Sequence, residues 1–158
     1  MLRRMADDDS TYLRLRRMVL DLDPVTAPTA ELPRVWGALM DTGYPNGAAT
    51  VVCLADGTTS LYTSTGGGIL GAGAHESVAA PSRQLLAVVE KHLNQMPPST
   101  EDTLPDPDWV VMRALTFTDR RAVPAEEDEL AYNRHALAEI FHAFHAVITQ
   151  LRLLDDDR

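Results

Sequence analysis

The sequence predicts an α+β domain: a small antiparallel sheet of three to five strands flanked by helices, with a long helix at the C-terminal end. Three observations carry this. Two β-rich runs, Ala48 to Ala55 (AATVVCLA) and Thr58 to Thr63 (TTSLYT), are separated by Asp56-Gly57, a short-range hairpin signal. Trp109 to Phe117 (WVVMRALTF) alternates, with Val111, Arg113, Leu115 and Phe117 on one side and Val110, Met112 and Ala114 on the other. Helical apolar periods stand before, between and after these runs. At 158 residues and 45% hydrophobic, the chain fits one domain with a real core.

The elements follow in order. Residues 1–9 read as a flexible tail and 10–154 as the domain. Ser10 is a candidate N-cap for a helix reaching Leu22, with Tyr12, Leu15, Val19 and Leu22 on one face and Arg14, Arg16 and Arg17 between them. Pro24 and Pro28 break the chain. Leu32, Val35, Trp36, Leu39 and Met40 fall at i, i+3, i+4, i+7 and i+8, which predicts a second amphipathic helix stopped at Gly43. The hairpin comes next, with a two-residue type I′ turn expected at Asp56-Gly57. A glycine-rich connection, Gly66 to Gly73, leads into a helix over Glu76 to Gln95 with Val78, Leu85, Leu86, Val89 and Leu93 inward. Met96 to Asp108 reads as an exposed loop. The strand at Trp109 is followed by a short fourth strand, Arg121 to Val123. A single helix from Glu126 to Leu154 buries Leu137, Ile140, Phe141, Phe144, Ile148 and Leu151. Residues 155–158 read as a frayed acidic end. The order α-α-β-β-α-β-(β)-α implies a two- or three-layer sandwich.

Charge narrows the partners. Fourteen basic against 23 acidic residues leave a formal net charge of −9. Duplex nucleic acid and anionic membranes both reward a basic surface, so neither is expected as a partner. No apolar stretch is long enough for a membrane-spanning helix. Asp7, Asp8 and Asp9 stand where a signal peptide would be apolar, so a cytoplasmic location is expected. Cys53 is the only Cys, which excludes an internal disulfide and zinc-finger spacing.

Three groups of residues are candidates for chemistry. Gly66-Gly67-Gly68-Ile69-Leu70-Gly71 matches G-x-G-x-x-G after a strand. With Ser64, Thr65 and Gly73 it forms a candidate ligand-binding segment, because glycines let a backbone approach a phosphate. The strand before it belongs to a hairpin, unlike a dinucleotide fold, and there is no G-K-[ST]. His135, Glu139 and His142 share one face of a continuous helix and have metal-ligand chemistry. That face lies opposite the apolar stripe and points to solvent, so no metal or other cofactor is expected. Cys53, with His75 or His92 as base, has nucleophile chemistry but lies within an apolar run, where a thiol is inert. Arg14, Arg16 and Arg17 form the basic cluster, read as coating a helix or pairing with acidic segments. Trp36 and Trp109 read as core anchors.

The blocks VWGALMDTGYPNGAATVVCLADGTTSLYTSTGGGILGAGAHE (Val35 to Glu76) and AVITQLRLL (Ala146 to Leu154) resemble a family of small bacterial proteins, of actinobacterial type, with no assigned function. That resemblance carries no catalytic residue. The layout is similar to roadblock and profilin-like domains, which implies an adaptor that dimerises and binds protein partners. The expectation is therefore a non-catalytic interaction module, a homodimer joined at an edge strand. The alternative is a small-ligand or nucleotide-binding regulatory domain using residues 64–73.

Overall fold

Six strands form one open antiparallel sheet: β1 (Val35–Tyr44), β2 (Gly47–Leu54), β3 (Thr59–Thr63), β4 (Gly67–Ile69), β5 (Trp109–Thr116) and β6 (Arg120–Glu126). Their spatial order is β4-β3-β2-β1-β5-β6. The computed structural model describes residues 2–156, with side chains from residue 11 onward. The fold is α+β, with six strands rather than three to five.

The sheet is covered on both faces. On one, α2 (Glu76–His92), α3 (Glu127–Ala131) and α4 (Ala138–Asp156) pack over Ala38, Met40, Val51, Cys53, Val110, Met112 and Ala114. On the other, α1 (Leu2–Leu20) places Tyr12, Val19 and Leu20 against Trp36, Leu39, Val52, Leu54, Tyr62 and Leu115. The result is three layers with the sheet in the middle. The alternation expected for β5 holds: Val110, Met112 and Ala114 enter one core, and Leu115 the other. The six inward positions expected for the last helix and the five expected for α2 are all buried.

Four elements differ from the sequence reading. The segment read as a second helix is the central strand β1, buried at nine of its ten residues. A strand covered on both faces shows a continuous apolar run, and a short run of that kind matches a helix stripe by chance. A register shift between Val35 and Gly37 puts Val35 on the same face as Ala38. The C-terminal helix is two helices. Asn133 adopts φ +61 after α3 and stops it, a role its short polar side chain tolerates. His135 Nδ1 then accepts the N–H of Leu137 at 3.0 Å just before α4 begins. The helix read from Ser10 begins at Leu2, so residues 2–9 continue α1 rather than forming a tail. At the other end α4 includes Asp155 and Asp156, while residues 1, 157 and 158 lie outside the described residues.

The turn at Asp56-Gly57 is also different. Leu54 N–H bonds Thr58 O at 2.9 Å, and Gly57 N–H bonds Leu54 O at 3.0 Å. This is a three-residue loop in which only Gly57 (φ +97) is left-handed, not a type I′ pair. The same arrangement recurs at Ser64-Thr65-Gly66, where Gly66 (φ +88) donates to Thr63 O. That second loop builds the β3–β4 hairpin within the glycine-rich connection.

Candidate interaction site

The most conspicuous polar cluster lies under α1. Asp41, on β1, has no exposed surface. Its carboxylate accepts from Arg16 Nε at 3.1 Å and Nη2 at 2.9 Å, from Arg113 Nε at 3.3 Å, and from Thr50 Oγ1 at 2.6 Å. Thr50 gives its proton to Asp41, so Tyr12 O–H donates to Thr50 at 2.7 Å. Two guanidiniums face one carboxylate. The excess positive charge is met by backbone carbonyls of the 97–108 segment: Asp102 O accepts from Arg16, and Glu101 O from Arg113. The Asp102 side chain bridges Arg17 at 2.8 Å and Arg120 at 2.9 Å.

The acid–base state of the cluster follows from these contacts. Burial pushes the Tyr12 hydroxyl up to about 12. Burial works to lower Arg16, but the hydrogen bond and charge of Asp41 outweigh it and raise it. Burial lowers Arg113 despite Asp41. Burial works to raise Asp102, yet Arg17 and Arg120 hold it below the usual carboxylate range. Every carboxylate oxygen has a donor and solvent is excluded around Asp41, so the cluster clamps α1 and the 97–108 segment to the sheet. Arg16 and Arg17 of the basic cluster on α1 therefore pair with acidic residues of the same chain. The exposed loop expected at 96–108 is a strap across this face.

The residues singled out in the sequence fall in separate places. Ser64 Oγ accepts the N–H of Ala48 at 2.8 Å, and Thr65 borders a groove described below. Gly66, Gly67 and Gly68 are exposed in the hairpin and in β4. Gly71 precedes a short 3-10 turn (Ala72–Ala74) that intervenes before α2. Gly73 packs against the β2–β3 loop, where a Cβ would lie 1.7 Å from Gly57 O. The segment is thus a hairpin and a close crossing, not one cradle leading into a helix.

The histidine trio is not brought together. His135 precedes α4, Glu139 pairs with Lys91 at 3.0 Å and with His92 at 2.6 Å, and His142 Nε2 lies 2.8 Å from Asn133 Oδ1. Among the described residues, no three His, Cys, Asp or Glu side chains are placed to hold a metal ion. Cys53 is fully buried and neighbours Ser82 rather than His75 or His92; burial pushes its thiol up to about 12. Trp36 is a core anchor whose indole N–H donates to Thr116 O at 2.9 Å, but Trp109 is 40% exposed and is not one.

The two edges of the sheet differ. Beside β6, Ser99 N–H bonds Arg120 O at 2.9 Å and Ala122 N–H bonds Pro97 O at 3.1 Å. Further along the same strand, Pro124 has no N–H to offer. This edge is closed by the strap and by proline. β4 pairs only with β3, and exposed Leu70 follows it. Over β1, β2 and β3, on the face covered by α4, a groove of about 190 Å³ is lined by Met40, Val51, Leu61, Thr63, Ile148 and Arg152. A larger cleft of about 550 Å³ lies between residues 26–32, the β2–β3 loop and α2, lined by Leu32, Leu54, Ser82, Arg83 and Leu86.

No helix among the described residues is long and apolar enough to cross a membrane. No family model, curated protein or solved structure matches the chain.

Proposed function

We propose that this chain is a non-catalytic interaction module that receives a partner strand at β4. The observation that carries this is the asymmetry of the sheet: β6 is closed by Pro97–Ser99 and Pro124, while β4 has a neighbour on one side only. An unpaired edge supplies main-chain donors and acceptors for strand addition. The buried titratable groups support the non-catalytic part, since Asp41, Arg16 and Arg113 bond one another. The strand comes from another protein or from a second copy, which would form the homodimer about a two-fold axis. Calorimetric titration with a capped Thr-Val-Thr-Val-Thr peptide tests the reading. Binding that weakens when Leu70→Lys places a charge at the edge supports it. No binding, or equal binding by Leu70→Lys, rejects it.

The cleft beside α2 favours a second reading, a small-ligand regulatory domain. At about 550 Å³ it lies within the usual range for ligand pockets. It includes Gly57 but none of Ser64 to Gly68, so the ligand would sit away from the glycine-rich segment. A thermal-shift panel of nucleotides and acyl-CoAs checks this. A stabilising hit lost on Ala87→Trp, which fills the cleft, supports it; silence across the panel removes it.

A further inference from the structure

The cleft beside α2 is long and apolar. Ala79, Ser82, Arg83, Leu86 and Ala87 line it at i, i+3, i+4, i+7 and i+8, so they share one face of α2 over about 12 Å. Leu54, at the end of β2, and Leu32, in the segment before β1, complete the lining. That segment, residues 23–33, forms the outer wall. Among the described residues its hydrogen bonds stay within itself: Thr29 N–H donates to Leu32 O at 3.1 Å, and Leu32 N–H to Thr29 Oγ1 at 3.0 Å. Pro24, Pro28 and Pro33 have no N–H to offer. Arg34, whose N–H bonds Glu90 at 2.8 Å, anchors the end of the segment. The wall therefore lies over the cleft by apolar contact and can part from α2 without breaking a hydrogen bond.

The cleft offers little to a phosphate. Arg83 is the one cation among the described residues that line it, and it pairs with Glu76 at 2.6 Å. Glu31 and Asp56, both exposed, add negative charge at the rim. Ser82 is buried and already bonded to Thr59 at 3.4 Å. An anion would lose water there without gaining a free cation, whereas an alkyl chain needs only apolar surface. We propose that the cleft binds an aliphatic chain and leaves the head group of its carrier in solvent. This rests on the ligand reading of the cleft above and names the part of the ligand that is recognised.

The test is calorimetric titration with CoA, butanoyl-CoA, hexanoyl-CoA, octanoyl-CoA and 1-octanol. Burial of the chain predicts a Kd about fourfold tighter for each methylene added, and no binding of CoA itself. 1-Octanol should compete with octanoyl-CoA, which separates recognition of a free chain from recognition of the CoA thioester. Ala87→Trp, which fills the cleft, should weaken octanoyl-CoA and 1-octanol alike, and Arg83→Gln should change neither. CoA binding as tightly as octanoyl-CoA overturns the inference; if Ala87→Trp abolishes that binding, the ligand reading survives and the head group is what the cleft holds. A chain dependence untouched by Ala87→Trp, affinity lost in Arg83→Gln, or 1-octanol that does not compete also overturns it. Silence of every probe removes the inference and the ligand reading together.

Discussion

Replacing Asp41 with Asn probes the clamp under α1. The change keeps size and one acceptor oxygen, so the Thr50 hydrogen bond can survive. It removes the only side-chain negative charge in contact with both Arg16 and Arg113, whose side chains are 5% and 3% exposed. Breaking a buried ion pair by removing one partner costs about 3–5 kcal/mol, because the remaining charge has no water to turn to. In a chain of this size each kcal/mol lowers Tm by about 2–4 °C, so a fall of about 6–20 °C is expected. Differential scanning calorimetry reads it directly. The deficit should persist in about 1 M NaCl, since salt screens buried pairs far less than exposed ones. Amide exchange should quicken first in α1 and in the 97–108 strap, the elements the pair holds down. A fall under about 2 °C, or one that vanishes in salt, would refute a buried clamp.

Three further outcomes are expected. Gly43→Ala places a Cβ 2.1 Å from Asp106 O and 2.6 Å from Pro105 O, so the strap must shift; a loss of about 1–3 kcal/mol in a denaturant melt is expected, and an unchanged midpoint would contradict the close crossing. Cys53, raised to about 12 by burial, should label with a thiol reagent at about pH 8 no faster than the protein opens; prompt labelling would contradict its burial. Burial, then the charges of Arg152 and His142, lowers the pKa of His145, whose buried Nε2 has no hydrogen-bond partner. The native state therefore keeps His145 neutral while the unfolded chain takes a proton below about pH 6.5. Stability should fall as pH drops through 6.5 toward the lowered native value, and His145→Phe should flatten that part of the Tm–pH curve; identical curves would count against it.

Much of the fold is legible in particular residues. Asp56-Gly57 marks the hairpin because only glycine takes φ +97 at little cost, although its neighbours do not reveal whether the loop holds two or three residues. The inward positions of α2 and α4 are legible because each helix has one wet face. β1 is not, because its two faces are both dry and its pattern loses the period of two. Gly37 and Gly43, poor in a helix interior, are the signals that point to a strand there. The break at Asn133 carries a similar signal, since Asn tolerates the left-handed region. The clamp escapes sequence reading because its two ion pairs join residues 25 and 72 positions apart. Its traces are single charges inside apolar runs: Asp41 in ALMDTG and Arg113 in VVMRAL. A buried charge needs a partner, and each of these runs names one half of the pair. The open edge at β4 was legible only as a glycine run. Which edge of the sheet is closed depends on Pro97–Ser99 lying beside β6, a contact that no local pattern encodes.

The most direct test of the central claim is backbone amide exchange at Gly67–Ile69 and at Arg120–Glu126, with and without an excess of the Thr-Val-Thr-Val-Thr peptide. Strand addition at the open edge predicts slower exchange at β4, with β6 unchanged because the strap and Pro124 already close it. Protection gained at β6, or at neither edge, would contradict the account.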